Sequence, residues 1–249
     1  RLSATMALEN LLGQHVIAPH TLVANSGNPT NAVDLALIEQ ASLLDLQSND
    51  RDLCRRAAAS LRHIGSTAET KKNLRAAVLA LRDDPGFTHY RNTGDNAKFL
   101  ANDRANPRTI QELIRALGDL KDTEAVPLLS ETLKKHADVD VGNLFVAEAA
   151  ADALGRIATP EAENALIETF LNLKPYIRYT HWYGDHSALM ACHASPVHLR
   201  IVEALDQIGT KNHPELVPHL IDCVPTDFDR ALFLQNDTAE QLIGRVIRN

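Results

Sequence analysis

Residues 146–170 read VAEAAADALGRIATPEAENALIETF, and the fold follows from this stretch. Val146, Ala150, Ala153, Leu154 and Ile157 recur at i, i+4, i+7, i+8 and i+11, the period of a helix with one buried stripe rather than the alternation of a strand. Small residues on that stripe let a neighbouring helix approach closely. Thr159 then stands before Pro160: a capping hydroxyl followed by a residue whose φ is already set for the first helical turn. A second helical pattern follows at once. Two helices joined by so short a link must lie antiparallel.

The same sentence recurs along the chain. It appears as CRRAAASLRHIGST (54–67), TIQELIRALGDLKD (109–122), PVHLRIVEALDQIGT (196–210) and TAEQLIGRVIRN (238–249). A late Leu or Ile marks each copy. These residues, Leu61, Leu117, Leu154, Leu205 and Ile243, stand 56, 37, 51 and 38 positions apart. Two intervals match a two-helix solenoid repeat, and the longer two match the same unit with an insert. Further helix starts are marked by Ser66 with Glu69 and Asp237 with Glu240, both capping boxes, and by Ser195–Pro196 and His213–Pro214. The resulting pairs are 30–47 with 50–65, 67–83 with 107–121, 122–136 with 146–158, 160–173 with 196–209, and 214–224 with 237–248. A leading helix near 3–14 completes an earlier repeat. No strand pattern competes.

The segments of the form AAxxLxxIG and AAADALGRIATPEAENALIETF (149–170) resemble HEAT repeats, of the short bacterial type that also occurs in phycobilisome-lyase-like proteins. The resemblance implies an all-α solenoid and, since such arrays mostly serve as binding scaffolds, a partner protein. The expectation is one domain over 1–249, built of about five antiparallel helix pairs. The chain departs from the family's short turns in four inserts, roughly 84–106, 137–145, 174–195 and 225–236. All four fall inside pairs, whereas the links between pairs are tight. They are therefore expected on one edge.

Ten of the eleven aromatic residues lie in these inserts, and only Phe170 sits in a repeat helix. Structureless loops beyond about 12–15 residues are uncommon and often functional, and aromatic residues are enriched where binding energy concentrates. The expected partner-binding anchors are Tyr176, Tyr179, Trp182, Tyr183, Phe87 and Tyr90, with Arg91, Arg104 and Arg178 as polar contacts. The bland alternative is a set of inserts folded back as a lid over the array.

The richest insert, KPYIRYTHWYGDHSALMACHA (174–194), also carries His181, Asp185, His186, Cys192 and His193. These are the metal candidates, and their spacing disfavours one. His181 and His186 would not share a helical face, and Cys192 and His193 are adjacent, which is awkward for two ligands of one ion. Cys192 beside His193 is also the sole nucleophile–base candidate, with no orienting acid apparent. No catalytic residue is assigned. Asn92, Asp95, Asn96 and Asp103 lack the spacing of a calcium loop. The family includes iron-holding hydroxylases that use His–Glu pairs; no His-Glu dipeptide occurs here. His63, His198 and His219 read as surface or interface histidines, and Cys54 and Cys223 as small packing residues.

Net charge is −7, and Lys and Arg cluster only as pairs such as Arg55–Arg56, Lys71–Lys72 and Lys134–Lys135. Nucleic acid is disfavoured, because phosphate binding needs clustered cations. No apolar run is long enough for a membrane span, and no signal peptide is visible; the compartment is left open. The expected function is a non-enzymatic scaffold that binds a partner protein through its groove and aromatic insert edge, with no cofactor. The alternatives are a metal- or cofactor-associated module using the 181–193 insert, and an accessory domain of a larger enzyme, suggested by the start at Arg1.

Overall fold

Helices account for the described chain except for one short β ladder. The computed structural model describes residues 32–65, 67–82, 101–137, 143–173, 176–179, 189–192, 196–211, 213–222, 244 and 246–247. The elements are α1 (Ala32–Leu46), α2 (Arg51–Ile64), α3 (Ala68–Arg82), α4 (Ala101–Asp119), α5 (Val126–Ala137), α6 (Leu144–Ile157), α7 (Pro160–Asn172), β1 (Tyr176–Tyr179), β2 (Leu189–Cys192), α8 (Pro196–Ile208) and α9 (Leu216–Asp222). A 3₁₀ turn, Thr123–Ala125, precedes α5. The chain divides into two compact units, Arg1–Leu128 and Leu129–Asn249, and α5 straddles the division.

In the first unit α1 packs on α2, α3 on α4, α1 on α3 and α2 on α4. That is two layers of alternate helices. The core is aliphatic: Leu61, Leu74, Val78, Ile110, Leu113 and Leu117 are fully buried. Arg51 at the start of α2 accepts through its carbonyl from Thr109 Oγ1 at 3.1 Å, while Arg62 near its end donates to Asp119. The two second-layer helices therefore run parallel.

The second unit repeats the plan: α6 packs on α8, α7 on α8 and α9, and α6 on α7. Leu154, Leu166, Ile201 and Leu205 form its buried centre, with Phe170 as the one aromatic residue of the described core. Gly155, near the end of α6, lies against Ala204, near the end of α8, so these helices also run parallel. A Cβ at Gly155 would stand 2.7 Å from the Ala204 Cβ and 2.9 Å from its Cα. Gly155→Ala is therefore expected to cost about 1–3 kcal/mol through overpacking. The gain in helix propensity of about 1 kcal/mol does not offset this. Ala204→Gly introduced beside it should recover part of the loss in urea unfolding. An unchanged midpoint for Gly155→Ala would show that the two helices simply separate.

The tight links share a device. Lys121 (φ 47°), Ala158 (φ 55°) and Gly209 (φ 78°) are left-handed, and each stands four residues after the marker leucines Leu117, Leu154 and Leu205. The Leu117 and Leu205 carbonyls accept from the Asp122 and Thr210 amides, 3.0 and 3.1 Å, closing the helix end in the usual left-handed C-terminal motif. Starts are capped by side chains. Thr159 Oγ1 accepts from the Ala162 amide at 3.2 Å, with Pro160 at the first helical position. Asp50 caps α2 at the Asp52 and Leu53 amides, 2.9 and 3.3 Å.

Three expectations need correcting. The cap of α3 is Thr67, whose Oγ1 accepts from the Thr70 amide at 3.1 Å. Glu69 Oε1 accepts from the Asn73 side-chain amide at 2.8 Å, and Ser66 lies outside the described residues. Residues 101–106, read as insert, are the first turns of α4, which continues through Pro107; Phe145 likewise belongs to the first turn of α6. The 174–195 insert holds strands, because Tyr, Ile and Tyr in the run YIRY suit a pleated ribbon. The leading helix near 3–14 and the insert 225–236 lie outside the described residues.

Candidate functional site

Parallel second-layer helices place their starts on one edge of each unit. In the second unit that edge carries the connections before α6 and before α8. Phe145 stands at the start of α6 with 68% of its surface exposed. The neighbouring connection contains β1 and β2, paired antiparallel with Tyr176 opposite Cys192, Ile177 opposite Ala191, Arg178 opposite Met190 and Tyr179 opposite Leu189. Successive strand positions alternate between faces. Positions 176 and 178 therefore belong to one face of the ladder and 177 and 179 to the other.

In the first unit the same edge is marked by the length of α4. Thr109 is level with Arg51, the first residue of α2. Residues 101–108 therefore reach about 12 Å past that level at ~1.5 Å per residue. Arg104, expected in an insert, is on this helical extension.

The opposite edge of the first unit, made by the tight links, carries a notch of about 500 Å³ lined by Glu69, Lys71, Lys72, Arg75, Asp122 and Glu124 among others. Arg75 Nη1 donates to both Asp122 oxygens, at 2.8 and 2.7 Å, and Nη2 donates to Glu124 Oε2 at 2.8 Å. Asp122 is only 4% exposed at its side chain, Glu124 77%. Cations and carboxylates alternate here, so the notch has no single sign with which to draw a charged ligand. Beside it, Glu39 on α1 accepts from Thr67 Oγ1 at 3.0 Å and from Thr70 Oγ1.

The family model of HEAT repeats matches residues 97–180. That stretch, about a third of the chain, is similar to HEAT repeats. No particular member of the family is identified, and no curated protein and no solved structure matches the chain. The match covers α4 to β1, the part in which the sequence repeat is most regular. HEAT arrays generally mediate protein–protein interaction. Among the described residues no helix is long and apolar enough to cross a membrane.

The helix layers bear on two readings of single residues. Cys54 is 2% exposed in α2. Burial pushes its thiol up to about 11, with the Arg51 charge pulling weakly the other way. It packs as a small apolar residue and holds no thiolate at neutral pH. His198, read as a surface or interface residue, is 5% exposed in α8, where it faces α7. Its ring meets the Phe170 ring edge-on, centroids 5.8 Å apart and planes at 75°. Burial pulls its pKa down from 6.5 to about 4. Nothing in the local sequence marked it, because Val197 and Ile201 carry the apolar stripe around it.

Of the expected contact residues, Tyr176, Arg178 and Tyr179 are on β1 and Arg104 is on α4. Phe87, Tyr90, Arg91, Trp182 and Tyr183 lie outside the described residues. So do His181, Asp185, His186 and His193; Cys192 is the last residue of β2. Sequence reasoning did not single out Arg75 or the side chain of Asp122. The available signal was the position of Asp122 in a tight link, where a buried side chain needs a partner from the neighbouring helix.

Proposed function

We propose that this chain is a HEAT-repeat scaffold that binds a partner protein through its groove and the aromatic insert edge, without a catalytic centre of its own. The observation that carries the reading is Phe145. It is the one insert-edge ring whose side chain is described, and it stands exposed beside a core that otherwise encloses its aromatic residue, Phe170. Exposed rings on a rigid frame lose little rotamer freedom on binding, which is why they serve as anchors. Tyr176, Tyr179, Trp182, Tyr183, Phe87 and Tyr90 extend the same chemistry, and Arg91, Arg104 and Arg178 supply polar contacts. The spacing within the 181–193 insert favours this over a metal site. The repeat match, which spans both compact units, supports reading 1–249 as one domain.

The test is affinity capture from the native host with residues 174–194 replaced by a Gly/Ser linker of equal length. The specific partner retained by the parent chain should be lost while helical circular dichroism stays the same. Retention of the same partner at the same yield would remove the 174–194 edge from the interface. Phe145→Ser should weaken capture without lowering stability by more than about 0.5 kcal/mol, as for an exposed residue.

A further inference from the structure

The outward face of α4 is sorted by charge. Positions 104, 108, 111 and 115 are spaced i, i+4, i+7 and i+11 and fall within ~60° of arc on the helix. They hold Arg104, Arg108, Gln111 and Arg115. Ile110, Leu113, Ile114 and Leu117, on the other side of the helix, are fully buried. Arg108 is exposed. Arg115 has 41% of its side chain exposed and gives one Nη1 bond to Glu112 at 3.2 Å. Glu112 and Asp119 are turned to the seam with α2, where Arg62 donates to Asp119 and stands 3.7 Å from Glu112. On α2, Arg56 is exposed as well. Together α2 and α4 hold seven Arg and no Lys against four acids. The first unit as a whole is neutral, with 15 Lys and Arg against 15 Asp and Glu. The surplus of cations therefore comes from where residues are placed and not from the composition around them. Residues three and four apart become neighbours only on a shared helix face, so the stripe does not stand out as a run in the sequence.

Resting on the scaffold reading above, we propose that this arginine face binds an acidic segment of the partner protein. A guanidinium donates to a carboxylate through two parallel N–H groups, which a Lys cannot do. Arg is also among the residues in which binding energy concentrates. Arg108 and Arg115 stand two turns apart, about 10 Å along the axis. A partner helix laid alongside meets both with Asp or Glu seven residues apart. A phosphate backbone, with its dense and evenly repeated charge, would also meet Asp52, Glu112 and Asp119, whereas a peptide can place its carboxylates at the arginines alone.

The test uses the full chain and a synthetic helical peptide of Ala and Gln with Glu at i, i+4, i+7 and i+11, read by fluorescence anisotropy. The Glu peptide should bind, and the same peptide with Lys in place of Glu should not. Binding should weaken about tenfold from low salt to about 0.5 M, as the charges are screened. Arg108→Gln combined with Arg115→Gln should weaken it about tenfold by removing both forks. Lys71→Gln combined with Lys72→Gln, cations elsewhere on the same unit, should leave it unchanged. Both double variants should keep the parent's helicity and melting curve, as expected of exposed positions. No binding of the Glu peptide, equal binding of the Lys peptide, an equal loss from the Lys71 and Lys72 variant, tighter binding of a short DNA duplex than of the peptide, or salt-sensitive self-association in place of peptide binding would each overturn the proposal. If the linker replacement at 174–194 abolishes partner capture while these peptide results fail, the scaffold reading stands and the acidic partner falls. If capture survives the linker replacement while the Glu peptide binds as expected, the 174–194 edge falls and the arginine face stands.

Discussion

Replacing Arg75 with Ala is expected to destabilise the first unit by about 3 kcal/mol, as when one member of a buried ion pair is removed. The size follows from what Asp122 is left with. Its side chain is 4% exposed, both its oxygens accept from Arg75 Nη1 at 2.7–2.8 Å, and it makes no side-chain cap to the 3₁₀ turn that it precedes. Without Arg75 the carboxylate stays largely shielded from water with no cation. The second arm, to Glu124, adds little, because that carboxylate is 77% exposed and exposed pairs are worth about 0–1 kcal/mol. Asp122→Ala should cost less, about 1 kcal/mol, since Arg75 can still reach Glu124 and water. The double variant should then be more stable than the sum of the two losses implies, with a coupling of about 2 kcal/mol. Arg75→Lys keeps the charge but not the fork and should fall between. Urea unfolding with unchanged slope measures all four. Additive single effects would mean that water reaches Asp122 and the pair holds nothing.

The pairing of residues 75 and 122 also shows where sequence reading stops. Helical period, caps and the spacing of Leu61, Leu117, Leu154 and Leu205 made the helix pairs legible, because each is a local pattern repeated. All four leucines are fully buried. The reversal after each second helix was half legible. Gly209 announces a left-handed residue, whereas Lys121 and Ala158 adopt that conformation against their own preference, held by the packing on either side. Gly65 shows the converse. It stands four residues after Leu61 yet has φ −70°, and it is there because a Cβ would meet the Leu61 carbonyl and the Thr70 methyl at 2.6 Å.

The candidate edge was legible as a set of interruptions but not as structure. A four-residue strand has too few positions for its alternation to stand out against a helical reading, and YIRY and LMAC become a ladder only by pairing with one another. The helix expected from residue 107 reaches back to Ala101, with Pro107 inside it. His198 was legible only as a surface or interface histidine, and the choice between the two was not. Polarity favours histidine outside, but a neutral ring can be buried against an aromatic edge, and here that depends on Phe170, distant in sequence.

That state has a pH signature. His198 is neutral in the folded chain down to about pH 4, where an exposed histidine would titrate near 6.5. Between those values the unfolded chain binds a proton that the folded chain does not, so stability rises with pH across the window. The contribution is complete above pH 6.5 and lost as the pH falls to 4, about 3 kcal/mol in all at ~1.4 kcal/mol per unit. His198→Leu removes this titration while keeping an apolar filling. The stability advantage of the parent over that variant should therefore shrink by about 3 kcal/mol between pH 7 and pH 4, with the other titrating groups cancelling in the difference. Phe170→Ala should act on both terms. It costs about 3–5 kcal/mol at pH 7 by emptying a buried ring site. It also admits water to His198, whose pKa should climb back towards 6.5 in an NMR titration. A difference between parent and His198→Leu that stays flat with pH would show that His198 protonates without leaving its place beside Phe170.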